Sequence, residues 1–255
     1  MSQSSASALL RAKQALYHLL MDKHTLDWGI AFWNPQWDRW PEAAQFREVV
    51  IPEASRFSEA FEAAEAFFHE QGMLCQRWAP AVDQPVEALE AFLTTRGFVP
   101  REMTVMRLGA WPEPGEGPDV RVLPARPMRQ AFERTYLIES QDDLARARAR
   151  AALEYLDEAS MSLFVAMRGD EPMGRGGLFE VGDVGLIVEL YVIPSARRQG
   201  IGRAVMTQLV AMARRAGLRM VCAEVPAGDP AGATCLESCG FVQDGQVREY
   251  DRTGR

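Results

Sequence analysis

The residue types best suited to chemistry gather between Glu189 and Ala204. In order they are a strand-borne carboxylate, an apolar strand end, a proline, two adjacent arginines and Gly200-Ile201-Gly202-Arg203. Gly200 and Gly202 carry no Cβ, so a ligand can come close to the main chain. The first amides of a helix that starts there have no partner inside the helix and point back at the turn. Together with the helix dipole they form an anion seat, and Arg197, Arg198 and Arg203 place positive charge where a diphosphate would lie.

The flanking elements must hold this seat in place. Leu186 to Val192 is rich in Val, Ile, Leu and Tyr, which suits a strand buried on both faces. Pro194 ends its ladder. Beyond Gly202, the residues Ala204, Val205, Leu209, Met212 and Ala213 recur at helical spacing, and Arg214-Arg215-Ala216-Gly217 supplies cationic last-turn residues and a glycine stop. The reading is strand, turn, anion seat, helix.

In this context Arg197-Arg198-Gln199-Gly200-Ile201-Gly202 resembles the R/Q-x-x-G-x-G/A signature of the GNAT superfamily of N-acetyltransferases. Leu190-Tyr191-Val192-Ile193-Pro194 resembles the end of that family's fourth strand. The resemblance covers 119–253 and implies acetyl-CoA as cosubstrate, with no metal. The pyrophosphate would rest on Arg197, Arg198, Gln199, Gly200, Ile201, Gly202 and Arg203, and the pantetheine arm on the main chain of Tyr191 and Val192. It implies direct transfer, in a ternary complex, of an acyl group to a primary amine of a small molecule or peptide. Such an amine must first lose its proton, and Glu189 is the strand-four acid placed to take it, against a structural or substrate-positioning role. The family's usual acid, a tyrosine four residues before the Gly-Phe pair, is Leu236 here. Ser238, Cys235 and Tyr250 are other proton donors, none favoured by spacing. Asp229 stands where the family often has Asn and suits a helix cap; Glu224 ends the next strand, where a packing role is usual. The loss of the tyrosine keeps a second reading open, a non-catalytic module that binds acyl-CoA and reports or scaffolds. A dinucleotide fold is disfavoured, since Val205 occupies the third glycine position and Gly200 lies eight positions beyond Val192.

The 255-residue chain carries a formal charge of −7, which argues against nucleic acid as a partner. No apolar run approaches the length of a membrane span, and Met-Ser-Gln-Ser-Ser-Ala-Ser lacks the features of a secretory signal. Cys75, Cys222, Cys235 and Cys239 form no CxxC pair and have no nearby histidine, which points to reduced thiols and a cytoplasmic protein. Cys235 and Cys239 lie four apart on a predicted helix and are expected to form a core pair rather than a redox pair. A monomer or homodimer is expected.

The rest of the chain suggests a tandem α/β (α+β) architecture, each part a GNAT-like mixed, mostly antiparallel sheet flanked by helices. In the first half a helix at Ser58–Gln71 ends at Gly72, strand and helix follow, and Gly97-Phe98-Val99 leads to a strand. The second half repeats this order, with Gly217 and Gly240-Phe241-Val242; the two Gly-to-Gly intervals differ by two residues. The first copy has Ile51-Pro52-Glu53-Ala54-Ser55-Arg56-Phe57 in place of the glycine turn, so no diphosphate can approach there. Expected boundaries are a degenerate GNAT-like module without a CoA site at 1–110, a Pro/Gly linker at 111–118 and the catalytic domain at 119–255. An N-terminal helix at Ala6–Leu20 is expected to bury Leu9, Leu10, Leu16, Leu19 and Leu20. Trp33, Trp37 and Trp40 either cover an edge or interface or form a substrate cage.

Overall fold

The computed structural model describes residues 4–38, 40–112 and 119–253. Its elements, in chain order, are α1 (Ser5–Leu20), β1 (Asp22–Leu26), β2 (Gly29–Trp33), β3 (Ala44–Val49), α2 (Phe57–Glu70), β4 (Arg77–Pro80), α3 (Glu87–Thr95) and β5 (Phe98–Leu108). There follow β6 (Arg121–Pro124), α4 (Arg129–Leu137), α5 (Asp143–Glu154), β7 (Met161–Arg168), β8 (Glu171–Val181), β9 (Val184–Val192), α6 (Ile201–Arg215), β10 (Met220–Pro226), α7 (Pro230–Glu237) and β11 (Phe241–Arg252). Short 3₁₀ turns precede α2, α4 and α6. The fold is a mixed α/β one with mostly antiparallel pairing.

The chain forms two compact units. The larger takes the described residues of 1–19 and 104–245; the smaller takes 20–103 and the described residues of 246–255. This division differs from the expected boundary at 111–118, of which 113–118 lie outside the described residues. The reason is that β5 and β11 each run from one unit into the other, and α1 belongs with the larger.

In the larger unit the strand order is β11-β5-β10-β9-β8-β7-β6. Helix α6 lays Val205, Leu209 and Ala213 on this sheet, each fully buried. Its approach depends on Gly176 of β8: a Cβ there would sit 2.6 Å from Val205 Cγ1 and 3.2 Å from Leu209 Cδ1. Helix α1 buries Ala8, Leu9 and Ala12, while Leu10, Leu16, Leu19 and Leu20 are only partly covered. The expected leucine stripe is thus replaced by a small-residue face. Lys13 of α1, 4% exposed, reaches both oxygens of Glu224, at 2.8 and 3.0 Å. Glu224 therefore has a structural partner.

In the smaller unit the order is β1-β2-β3-β4-β11-β5. Strand β1, Asp-Lys-His-Thr-Leu, is polar and exposed and carried no strand signal in the sequence. Its core includes Trp78, stacked with Phe61 at 5.8 Å and meeting Phe46 edge-on at 5.0 Å. Trp33 contacts Phe67 edge-on at 5.0 Å, packing against α2. A buried ion cluster joins Arg47 to Glu249 at 2.8 Å and Arg77 to Asp251 at 2.5 Å.

Candidate active site

Strand β9 is straight until Val188 and then bulges. Its antiparallel partners on β8 run Val188↔Gly177 and then Tyr191↔Arg175, so Glu189 and Leu190 together face Gly176. Glu189 takes a positive φ of +56°, a left-handed conformation costing a non-glycine residue about 1–3 kcal/mol. The bulge alters the strand's other edge as well. Parallel pairs with β10 run Val184↔Met220, Gly185↔Val221 and Leu186↔Cys222 and go no further, although β9 continues to Val192 and β10 to Pro226. The two strands part, and the main chain of β9 beyond Leu186 turns an unpaired edge toward the gap.

The turn after β9 leads from this gap into α6. Arg198 and Gly200 both adopt positive φ, +62° and +78°. The first bond of α6 is Ala204 N–H to the Gly200 carbonyl, at 3.0 Å, so the amides of Ile201, Gly202 and Arg203 face the turn. The Ile201 side chain is in the core, 1% exposed, and only its amide is available. Gly202 faces inward: a Cβ there would lie 3.1 Å from Cys235 Sγ and 3.5 Å from Val192 Cγ2. Two predicted side chains are used internally. Arg197 donates from Nε to the Val192 carbonyl, 3.1 Å, and lies 3.7 Å from Glu139; Gln199 joins Arg168 and the Ser195 carbonyl. Arg198 and Arg203 are exposed and make no ion pair or hydrogen bond among the described residues.

On the opposite face of β9, Glu189 meets two residues that the sequence reading missed. The Tyr136 hydroxyl, from α4, donates to Glu189 Oε2 at 2.5 Å, and Arg175 Nε, from β8, lies 3.4 Å from the same oxygen. Oε1 has no protein partner among the described residues. The Arg175 guanidinium lies between two phenol rings, 3.5 Å from the Tyr136 centroid and 4.5 Å from that of Tyr191. Its Nη1 donates to the carbonyl and hydroxyl of Thr135, at 3.0 and 3.2 Å. Burial, reinforced by the Glu189 charge, pushes the Tyr136 phenol well above its ordinary value, so it stays a donor. Burial and the neighbouring Glu139 carboxylate push the Tyr191 phenol up to about 12. The missed signal was Gly174-Arg175-Gly176-Gly177, an arginine inside an apolar strand and flanked by glycines.

The other donors considered from sequence are not poised for proton transfer. Leu236 is core, 3% exposed, and Ser238 donates to the Cys235 carbonyl at 2.7 Å. Burial pushes the Cys235 thiol up to about 11. Tyr250 lies in the smaller unit, its hydroxyl 3.3 Å from Glu90. Asp229 caps α7 through Gly232 N–H at 3.0 Å. Among the described residues no cluster of His, Cys, Asp or Glu could hold a metal ion, and no helix is long and apolar enough to cross a membrane.

Residues 125–241 match the Acetyltransferase (GNAT) family. Among solved structures, a conserved protein of unknown function from Staphylococcus epidermidis is 16% identical, with a TM-score of 0.72 over 92% of this chain and 95% of that one. A GCN5-related N-acetyltransferase from Kribbella flavida is 14% identical, with a TM-score of 0.69 over 99% of this chain and 98% of that one. Another from Sphaerobacter thermophilus is 16% identical, with a TM-score of 0.57 over 99% and 93%. At such identities the likeness is one of fold. No curated protein matches the chain. The matched segment holds the bulged strand, the parted neighbour and the glycine-led helix. Residues 125–241 are a GNAT-family acetyltransferase domain.

Proposed function

We propose that the larger unit is an N-acetyltransferase that uses acetyl-CoA and a primary amine, and binds both together. The observation that carries this reading is the parting of β9 from β10 beyond Leu186, directly ahead of the Gly200 turn. It offers an unpaired strand edge for an amide-bearing arm and, at its end, amides and free cations for a diphosphate. Tyr191 and Val192 would hold the arm through their main chain. Residues 198–203 would hold the phosphates, with Arg198 and Arg203 as the uncommitted charges and Arg197 and Gln199 shaping the turn from within.

Acetyl-CoA supplies an acetyl group activated as a thioester: a carbon–nitrogen bond replaces its carbon–sulfur bond, the amine proton goes to Glu189 and a solvent proton to the thiolate. Glu189 is fixed for that task. Tyr136 and Arg175 both hold Oε2, which leaves Oε1 to receive the amine. The backbone strain at Glu189 is what turns its side chain onto the face shared with α4. Protonation by solvent accounts for Leu236 standing where the family often has tyrosine.

One cosubstrate per chain follows from the contrast between the units. In the smaller unit β3 also bulges, at Glu48 with φ +51°, yet its parallel pairing with β4 continues past the bulge to Val49↔Pro80. The Ile51 amide and carbonyl are then taken by Gln84, at 2.9 and 3.2 Å. Matching bulges, with Gly72 and Gly217 at +72° and +70° and Gly97 and Gly240 at +82° and +87°, support a duplicated module. The first copy would be degenerate, its slot closed by pairing. Titration calorimetry with acetyl-CoA, followed by free-thiol and product assays across an amine panel, tests the proposal. Absence of binding, or binding without turnover across a broad panel, would reject it.

A further inference from the structure

The charges around Glu189 restrict which amines can be accepted. Arg175 lies beside it and Arg197 near the neighbouring Tyr191, and both have partners. The Arg175 guanidinium is covered on its faces by Tyr136 and Tyr191, while its edges go to Thr135 and Glu189. Arg197 is held by the Val192 carbonyl and by Glu139. Among the described residues, Glu189 Oε1 remains without a hydrogen bond, and it belongs to an anion. A carboxylate on the carbon next to the reacting nitrogen would therefore face Glu189, and the cations nearest it, Arg175 and Arg197, already have partners. Desolvating that charge unpaired is costly, whereas an ammonium entering the same place is welcomed.

From this charge arrangement we propose that the acceptor is a primary amine with no carboxylate beside its nitrogen, and that free amino acids are rejected at their α-amine. The inference rests on the reading of Glu189 as the carboxylate that meets the amine. Without the commitment of Arg175 and Arg197, either arginine would pair an α-carboxylate in bidentate fashion, as such sites generally do.

The test uses matched sets on the full chain: tyramine, tyrosine and tyrosine methyl ester; tryptamine, tryptophan and its methyl ester; ethanolamine, serine and its methyl ester. Two readouts are taken, kcat/KM by CoA release and calorimetric binding of each compound to protein saturated with CoA. The amine and the ester are expected to exceed the amino acid by at least about tenfold in both readouts. The ester keeps the bulk and removes the charge, so an ester as poor as the acid would make the selection steric and overturn the inference. Equal or better use of the amino acid would overturn it as well. Glu139→Gln releases Arg197 and is expected to narrow the gap between amine and amino acid; an unchanged gap counts against the role given to that pair. If acetyl-CoA itself fails to bind, the site reading falls. If it binds and no member of any set binds or reacts, the acceptor inference falls while the cosubstrate site stands.

Discussion

Replacing Tyr136 by Phe removes one hydrogen bond and little else. The ring remains 3.5 Å from the Arg175 guanidinium and 5.5 Å, edge-on, from Phe132. What is lost is the phenol O–H to Glu189 Oε2, a bond to a charged group, worth about 1.5–3 kcal/mol. If that bond holds the carboxylate in its working orientation, kcat should fall roughly 10- to 150-fold. Acetyl-CoA affinity should stay within about twofold, because Tyr136 is on α4 and not on the loop that would hold the phosphates. The assay is steady-state kinetics in both substrates, with calorimetric acetyl-CoA binding alongside and circular dichroism to confirm folding. Because Tyr136 acts through Glu189, the double variant with Glu189→Gln should be no slower than Glu189→Gln alone. A wild-type kcat in Tyr136→Phe would mean that the phenol does not orient Glu189, and additive losses in the double variant would mean that it acts by another route.

Other expectations follow from the same geometry. Gly202→Asp brings a Cβ to 3.1 Å from Cys235 Sγ and 3.5 Å from Val192 Cγ2 and an anion beside the first amides of α6; acetyl-CoA affinity should fall by on the order of 100-fold, as read by calorimetry, with circular dichroism to establish that the variant folds. Glu224→Gln should lower the melting temperature, by loss of the buried Lys13 pair, and leave kcat within about twofold; a large kcat loss would return Glu224 to the chemistry. The raised phenols of Tyr136, Tyr191 and Tyr250 keep their protons in the folded state while the unfolded chain ionises at its ordinary value of 10. Stability should therefore be insensitive to these groups below pH 10 and fall as pH rises from there to about 12, with a shallower fall in Tyr191→Phe by differential scanning calorimetry.

The turn proposed to hold the cosubstrate was legible because its signal is local. Gly200 needs its left-handed φ, Gly202 its missing Cβ, and an apolar strand and amphipathic helix must flank them, all within 20 or so residues. Most elements of both units were legible for the same reason. Strand β1 was not, since a polar edge strand is fixed by its partner β2 and by nothing in its own composition. The division into units was hidden too, because β5 and β11 look like ordinary strands whichever unit they enter. The acceptor side suffered most. Tyr136 and Arg175 lie 53 and 14 positions from Glu189, and only the β8–β9 register and the packing of α4 on β8 bring them to one carboxylate. The bulge itself has no residue signature, since Glu189 is not a glycine and shows its strain only in φ.

One parted strand edge, in the larger unit alone, is proposed to take acetyl-CoA. Calorimetric titration of the full chain with acetyl-CoA, with mass-spectrometric detection of acetylated amine in the same solution, tests it most directly. One binding event per chain, abolished in Gly202→Asp and accompanied by amine acetylation that Glu189→Gln suppresses, is the predicted result. Two equivalent sites, or full affinity in Gly202→Asp, would contradict it.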